Sequence, residues 1–148
     1  MKQRLFIGLI LLSALTLLMQ CTTKKETQAL ESNNYIIVGE GGGFTGAYIQ
    51  YKIYENGNVD RYDFKQAVYV KKGRLKATEV KPLFAKIEAL ELGDIELSSP
   101  GNMSQYIEFT YNDIKDHRLI WAMKSNAVNP EIQSLFDSCY SLCEALSE

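Results

Sequence analysis

Histidine is almost absent from this 148-residue chain, and His117 is the only one. A lone histidine excludes an HExxH zinc site and every metal site built on a histidine pair within one chain. The nearest acids in the sequence, Asp113 and Asp116, are too sparse for a carboxylate–histidine site. We therefore expect His117 to be a solvated strand residue, and we predict neither a bound metal nor a cofactor.

Catalytic carboxylates are not indicated either. Glu88, Glu91, Asp94 and Glu96 cluster near the expected end of a helix, and paired carboxylates serve glycoside hydrolysis. An exposed helix end explains the same cluster, and no nucleophile–base pair accompanies it. The sequence therefore predicts a protein that is not an enzyme.

Nucleotide-binding motifs are missing as well. The chain has no GxxxxGK[ST] loop, and although Gly41, Gly43 and Gly46 match GxGxxG, a strand is expected to follow them. A dinucleotide site needs a helix there, because the helix amino terminus meets the pyrophosphate. The chain has 16 basic and 18 acidic side chains without a basic block, which argues against nucleic acid as a partner.

No apolar run reaches the roughly 20 residues that a membrane-spanning helix needs. The longest run of apolar or small residues covers positions 5–19 and follows the basic residues Lys2 and Arg4. A basic start before a short apolar segment is typical of a signal peptide for export, which is removed from the mature protein. The run ends at Leu18-Met19-Gln20-Cys21.

This tetrapeptide resembles the lipobox of bacterial lipoproteins, in which a leucine three residues before an invariant cysteine marks the cleavage site. The resemblance implies removal of residues 1–20, attachment of diacylglycerol to the Cys21 thiol and acylation of the new amino terminus. Met19 and Gln20 depart from the pattern, since small residues are usual there. An uncleaved anchor and an ordinary secreted protein are the alternatives. Acyl chains at about 0.8 kcal/mol per buried methylene would hold the chain on a membrane permanently.

The residues after Cys21 bear on its destination. They read Thr-Thr-Lys-Lys-Glu and lack the aspartate that commonly signals inner-membrane retention in Gram-negative lipoproteins, so we expect the outer membrane. Residues 21–34 are polar and without periodicity, which predicts a flexible tether. Residues 35–148 then form a single globular domain.

Alternation of apolar and polar residues predicts strands in the first half of this domain. A β-prone run at residues 35–38 precedes a long alternation from 47 to 54, which places Ile49 and Ile53 on one face and Tyr48 and Tyr54 on the other. Asn56-Gly57 predicts a hairpin turn into a strand over residues 59–64. A third β segment is expected at residues 67–70, with a turn at 71–73.

Two helices are predicted from caps and apolar stripes. Thr78 is the expected N-cap of a helix over residues 79–91, with Pro82 in its first turn. Asn129-Pro130-Glu131 has the order of an N-cap, a proline at the first helical position and an acid in the first turn of a last helix.

A second hairpin lies between these helices. A loop rich in Ser, Pro, Gly and Asn at residues 98–104 leads into strands that span residues 105–121 around a turn at 112–113. The order β-β-β-α-β-β-α predicts an α+β fold. We expect a two-layer sandwich in which an antiparallel sheet of about five strands carries two helices on one face.

Three features leave two interpretations open. Phe44, at the tip of the glycine turn, is either a plug in the core or an exposed contact. Trp121 and the tyrosines of one sheet face either cover their neighbours or form a binding surface. Cys139 and Cys143 lie four residues apart on the last helix, where the shared direction of their side chains favours two buried thiols over a disulfide.

Two stretches resemble the emfourin-type protein inhibitors of thermolysin-like metallopeptidases. Gly42-Gly-Phe-Thr-Gly46 resembles that family's GGFxG opening before a tyrosine-bearing strand. Pro100-Gly-Asn-Met-Ser-Gln-Tyr-Ile-Glu-Phe109 resembles its loop and strand after the first helix. The resemblance covers residues 35–146. The chain departs from the inhibitor pattern in its longer third β region, residues 65–76, and in its membrane anchor. The layout also resembles that of uncharacterised domains of bacterial lipoproteins.

The sequence therefore predicts an exported, membrane-anchored, non-catalytic protein-binding module. Its expected partners are a membrane, through the lipid on Cys21, and another protein, for which the resemblance implies a metallopeptidase. The alternative is a structural or assembly lipoprotein of the cell envelope. The candidate partner-binding residues lie in the glycine turn and in the loop before the second hairpin: Phe44, Thr45, Ser98, Ser99, Asn102 and Met103.

Replacing Cys21 by serine tests the anchor. We expect the Cys21→Ser chain from a Gram-negative host to lack the mass of the acyl groups and to move into the aqueous phase of a detergent phase separation. The neighbouring Thr22→Ser variant is the matched control and should behave as the wild type. Intact-mass spectrometry gives the answer, and equal acylation of all three chains would contradict lipidation at Cys21.

Overall fold

The computed structural model describes residues 33–126 and 128–146, and of Thr45 and Ala47 it describes the backbone alone. The predicted signal peptide, Cys21 and the tether up to residue 32 lie outside the described residues. Of the helices within them, none is long and apolar enough to span a bilayer. The elements are β1 (Tyr35–Gly42), β2 (Ala47–Tyr54), β3 (Asn58–Asp63), β4 (Val68–Arg74), α1 (Ala77–Ala89), β5 (Ser98–Ser99), β6 (Met103–Tyr111), β7 (Ile114–Ala122) and α2 (Pro130–Glu144).

The strands form one sheet in the order β4-β3-β2-β1-β6-β7-β5. The α+β class is confirmed, but the sheet has seven strands rather than about five, and it is mixed because β5 runs parallel to β7. The predicted run at residues 35–38 extends to Gly42 and becomes the central strand. The two-residue β5 lies in the segment predicted as a loop, since two residues carry no periodicity that could be detected.

One face of the sheet packs against both helices in a single core. On β1, Ile36 and Val38 are fully buried and alternate with residues of the opposite face. Burial of such a side chain stabilises by about 1.5–3 kcal/mol, so this face fixes which side of each strand turns inward. The other sheet residues of the core are Tyr51, Ile53, Val59, Ile107, Phe109, Leu119 and Trp121, and the helices add Val80, Leu83, Phe84, Ile87, Ile132, Leu135, Phe136, Cys139 and Cys143.

The opposite face is rich in tyrosine, and its side chains cover one another. The Tyr106 ring lies across Gly39, where a Cβ would stand 2.5 Å from the ring atom Cε1, and the Arg118 guanidinium carbon lies 4.0 Å from the ring centre. The Lys52 ammonium lies 3.7 Å from the centre of the Tyr35 ring. Tyr106 is buried, so for this tyrosine the covering interpretation is correct.

Trp121 does not belong to that face. Its side chain is fully buried on the helix side, and its ring centre lies 5.7 Å from that of Phe136 on α2. The idea that Trp121 contributes to an exposed aromatic surface is therefore wrong. The cause is the register of the strand pairing. Trp121 pairs with Gln105 and lies two residues after Leu119 on β7, so both side chains point to the helix side of the sheet.

The predicted bounds of α1 and β4 are wrong, and α1 also ends two residues earlier than expected, at Ala89. Helix α1 begins two residues earlier than expected, because the Glu79 carboxylate accepts a hydrogen bond of 2.7 Å from the backbone N–H of Lys76, which makes Lys76 the N-cap instead of Thr78. Pro82 is then the sixth helical residue and lies beyond the first turn. Strand β4 continues through the predicted turn at residues 71–73, since it pairs with β3 as far as Arg74 across a bulge.

The last helix and the second hairpin are confirmed. The Asn129 side-chain oxygen accepts a hydrogen bond of 2.8 Å from the backbone N–H of Glu131, and Pro130 occupies the first helical position. Strand β6 ends at Tyr111 and β7 begins at Ile114, as the turn at residues 112–113 predicts. Local capping and turn signals were therefore sufficient for these elements.

The contact between Gly39 and Tyr106 gives a testable expectation. A methyl group in Gly39→Ala would displace the Tyr106 ring, so we expect the free energy of unfolding in urea to fall by about 1–3 kcal/mol. Gly73→Ala is the matched control, because its Cβ would meet only the flexible Leu146 side chain at 3.4 Å. Equal unfolding free energies for the two variants would contradict this account of the tyrosine face.

Candidate binding surface at the glycine turn

The turn between β1 and β2 requires glycine for two separate reasons. Gly42 has φ of 115°, and a Cβ there would stand 2.7 Å from the carbonyl oxygen of Asn102. Gly46 ends the short 3₁₀ turn Gly43–Thr45 in a left-handed conformation with φ of 62°. Side chains are disfavoured at both positions, by backbone conformation and, at Gly42, also by close approach.

Phe44 is fully exposed at the tip of this turn. The interpretation as a core plug is wrong; Phe44 is exposed, and its contact with a partner stays a prediction. The reason is the position of the turn, which begins after the last paired residue of β1, Gly42, and so extends beyond the sheet. Thr45 belongs to the same turn by its backbone, and its side chain lies outside the described residues.

Asn102 and Met103 adjoin the turn. The backbone N–H of Gly43 donates a hydrogen bond of 2.5 Å to the Asn102 carbonyl, which fixes the turn to the start of β6. The sulfur of Met103 lies 3.2 Å from the position that a Cβ on Gly43 would take, and the Met103 side chain is 41% exposed. Four of the predicted positions, Phe44, Thr45, Asn102 and Met103, thus come together.

Ser98 and Ser99 lie elsewhere. They form β5 and pair with Ile120 and Trp121 of β7, at the edge of the sheet. Strands β6 and β7 separate them from β1, which at about 4.8 Å per strand is about 14 Å. Loop composition grouped these serines with Asn102 and Met103, and the sheet separates them.

A chain of polar side chains supports this end of the sheet, and sequence reasoning missed it. The Trp121 indole N–H donates to the Gln133 side-chain oxygen at 3.0 Å, and the Gln133 amide donates to Gln105 at 3.1 Å. The Gln105 amide in turn donates to the Glu40 carboxylate at 3.2 Å. No motif marks isolated glutamines, so only the fold reveals that these residues join α2 to three strands.

His117 is half-buried rather than solvated. Its Nε2 lies 2.9 Å from the carbonyl oxygen of Ile95, and its ring packs beside Phe109. A carbonyl oxygen can only accept, so this hydrogen bond requires the tautomer that carries a hydrogen on Nε2. The segment before β5 covers this strand residue, which the sequence could not indicate. In the described part of the chain, no group of three or more His, Cys, Asp or Glu side chains is arranged to hold a metal ion.

Glu108, an acidic side chain of the tyrosine face, has a shifted pKa. Burial raises the pKa of Glu108, and the positive charge of Arg118, whose Nη1 lies 3.8 Å from the Glu108 carboxylate, opposes that shift. The pair lies on β6 and β7, away from the glycine turn. It accounts for two charges of that face without a ligand.

Cys139 and Cys143 are free thiols buried in the core, as predicted. Burial raises the pKa of Cys143 to about 12 and also raises that of Cys139. The thiolate is the nucleophilic form of cysteine, so these residues act as small apolar side chains rather than reactive groups.

Comparisons with family models and with curated proteins add no relative. No model of a known protein family matches the sequence, and no curated protein matches it either. The resemblance to emfourin-type inhibitors therefore stays a prediction that rests on the two stretches quoted above.

The buried thiols predict a specific dependence of stability on pH. Below pH 9.0 the thiols are protonated in both states; above it the unfolded chain releases protons that the folded chain retains up to about pH 12. The free energy of unfolding should therefore fall as pH rises through 9.0, by up to about 1.4 kcal/mol per pH unit for each thiol.

Cys143→Ala isolates this contribution between pH 9.0 and 10.0, because the tyrosines, whose ordinary pKa is 10.0, are the same in the wild type and the variant. Loss of packing in the variant changes the stability at every pH, whereas loss of the thiol changes the slope. Chemical denaturation at several pH values measures both. An identical slope in the wild type and the variant would contradict a raised pKa at Cys143.

Proposed function

We propose that this protein is an exported, membrane-anchored and non-catalytic protein-binding module that inhibits a thermolysin-like metallopeptidase through the glycine turn. The observation that carries the proposal is the full exposure of Phe44 on a turn fixed to the start of β6. The resemblance of residues 42–46 to the GGFxG opening of emfourin-type inhibitors supports the choice of partner.

An exposed phenylalanine is costly in water and valuable in an interface. Burying its ring in a partner would stabilise a complex by about 1.5–3 kcal/mol. The hydrogen bond from Gly43 to Asn102 holds the turn in place, which reduces the conformational entropy lost on binding. Met103 adds a flexible apolar side chain beside the turn, of the type that adapts to a partner's surface.

The direction of β1 supports the same assignment. The predicted tether leads into β1 at Tyr35, and the glycine turn follows its other end, at Gly42. Eight residues of strand extend about 26 Å, so the start of β1 and the glycine turn lie at opposite ends of the domain's central strand. Phe44 is therefore far from the point where the preceding chain joins this strand.

One observation favours the alternative of a structural or assembly lipoprotein of the cell envelope. Val68 and Val70 are exposed on β4, which is the last strand at one edge of the sheet. A strand of another envelope protein could pair with this edge, since edge strands present unpaired backbone groups.

Titration of the full chain, in detergent micelles, against thermolysin tests the proposal. We expect stoichiometric loss of peptidase activity with the chain uncut, and about 30-fold weaker inhibition by Phe44→Ala, the size of an interface hot spot. Ile114→Ala is the control, because Ile114 is an exposed apolar residue at the start of β7.

Two results would contradict inhibition through this surface. One is unchanged peptidase activity at micromolar excess of the chain. The other is equal inhibition by Phe44→Ala and the wild type. Co-purification of one stoichiometric envelope protein, without inhibition, would favour the structural alternative.

A further inference from the structure

Strands β2 and β3 separate before either strand ends. Their pairing covers three residue pairs and stops at Tyr51 and Arg61, whereas β1 and β2 pair along all eight residues of β1. Residues 47–50 of β2 thus have β1 on one side and, within the described chain, no strand on the other. Strand β3 continues past Arg61 in contact with β4 alone. The sheet is split at this point.

A cavity of about 360 Å³ occupies the split, a size within the range of about 300–1,000 Å³ for ligand sites. Tyr48 and Ile49 line it from β2, and Tyr62, Phe64 and Val70 line it from the β3–β4 hairpin. We call this space the split-sheet cleft. A smaller cavity of about 180 Å³ on the tyrosine face shares Tyr48 and Phe64 with it.

The split-sheet cleft exposes apolar side chains on two adjoining elements. Ile49 is 42% exposed, Val70 41% and Phe64 48%. Ile49 has the same inward parity on β2 as the buried Tyr51 and Ile53, so it lies on the helix side of the sheet but outside the helices' cover. A single exposed apolar residue needs no explanation, but three around one cavity indicate a surface that a partner covers.

The split-sheet cleft lies at the start of a basic stretch of the chain. Residues 64–76 contain five basic and no acidic residues, in a chain with a net charge of −2, and of these five Lys65 lines the cleft. Asp63 lies among the lining residues, and its carboxylate accepts hydrogen bonds from the backbone N–H groups of Lys65, at 2.8 Å, and Gln66, at 3.2 Å. The lining therefore holds two basic residues, Arg61 and Lys65, against this one acid, which gives it a net positive charge.

We propose that the split-sheet cleft binds an extended segment of a partner protein, which adds as a strand to residues 47–50 of β2. That the partner is a protein is taken from the proposed function, and the cleft proposal rests on it in this respect. Backbone groups on the cleft side of β2 provide hydrogen bonds for an added strand, and alternate side chains of that strand meet the apolar lining. The basic residues select a segment that carries carboxylates.

The tyrosine face limits how the segment enters. The Gln50 side-chain amide donates a hydrogen bond to the Tyr69 hydroxyl on β4, and the same side chain accepts one from the Tyr106 hydroxyl at 2.5 Å. These bonds connect β6, β2 and β4 across that face of the split. The segment therefore enters from the helix side, where Ile49 and Val70 are exposed.

A second copy of the chain that presented its own β3–β4 hairpin would not fit the charges. Two copies that met at the hairpin would bring together two stretches of five basic residues without an acid, and like charges across paired strands destabilise the pairing. The lysines on β4 are typical of edge strands that avoid self-association. An acidic, extended occupant gains from the same charges.

Binding of a labelled peptide of alternating valine and glutamate to the full chain, in detergent micelles, tests the inference. We expect saturable binding that weakens as salt rises from about 0.05 M to about 0.5 M, because exposed charges are screened. A peptide of alternating valine and lysine should not bind. Amide hydrogen exchange should slow at β2 residues 48–50 when the acidic peptide is bound.

Lys65→Glu and Ile49→Ser separate the charge from the apolar contribution. Each should weaken binding of the acidic peptide about tenfold, the first because it places a carboxylate at the split-sheet cleft and the second because it removes an apolar side chain of the lining. Lys81→Glu makes the same charge change on an exposed position of α1 and should bind as the wild type. The far-ultraviolet circular dichroism spectrum and unfolding curve of each variant show that it is folded.

Three outcomes would overturn the inference. These are equal binding of the acidic and basic peptides, equal effects of Lys65→Glu and Lys81→Glu, and slowed exchange at Val68–Val70 without any change at residues 48–50. Slowed exchange at residues 48–50 in a dimer without peptide would also overturn it, because a second copy would then fill the cleft.

Phe44→Ala keeps this test distinct from the proposed function. The variant should bind the acidic peptide as the wild type does, since Phe44 does not line the cleft. Peptide binding by a chain that does not inhibit thermolysin would support the cleft as a binding site and would contradict the proposed inhibition of the peptidase. Inhibition of thermolysin without peptide binding would overturn the cleft alone.

Discussion

The pairing of β1 on both sides is the constraint on which the rest of the structure depends. All eight of its residues pair with β2, and all eight pair with β6. This register carries Ile36 and Val38 into the core, and a slip by one residue would turn both to the tyrosine face. The same register sets Gly42 opposite Met103, so the pairing that builds the core also fixes the glycine turn to the start of β6.

Signals that act within a few residues were readable from the sequence, and signals that need a distant partner were not. The cap at Asn129 and the alternation along β2 predicted their elements, since both are local patterns. The full length of β1 could not be predicted, because the glycines at positions 39 and 41–43 have little β propensity. Pairing with β2 and β6 extends β1 over these residues. Strand β4 overrode the turn signal at residues 71–73 for the same reason, since β3 supplies its partners.

The candidate surfaces follow the same division. The sequence indicated a glycine turn but left Phe44 open between core and solvent, because the outcome depends on where the pairing of β1 with β2 ends, at Gly42. Ser98 and Ser99 resembled Asn102 in composition, yet pairing with β7 places them at the sheet edge. The split-sheet cleft had no signal at all, since the point where β2 and β3 part is set by tertiary packing.

The glycine turn and the split-sheet cleft meet in β2, since the turn leads directly into residues 47–50. A partner that engaged both would meet two surfaces of different physical character. The turn is fixed by its hydrogen bond to Asn102, so an aromatic contact there loses little entropy and contributes mainly to affinity. The cleft requires the partner to order an extended segment beside basic side chains, which consumes binding free energy but discriminates by charge and shape. Affinity would thus arise chiefly at Phe44, and selectivity at the split between β2 and β3.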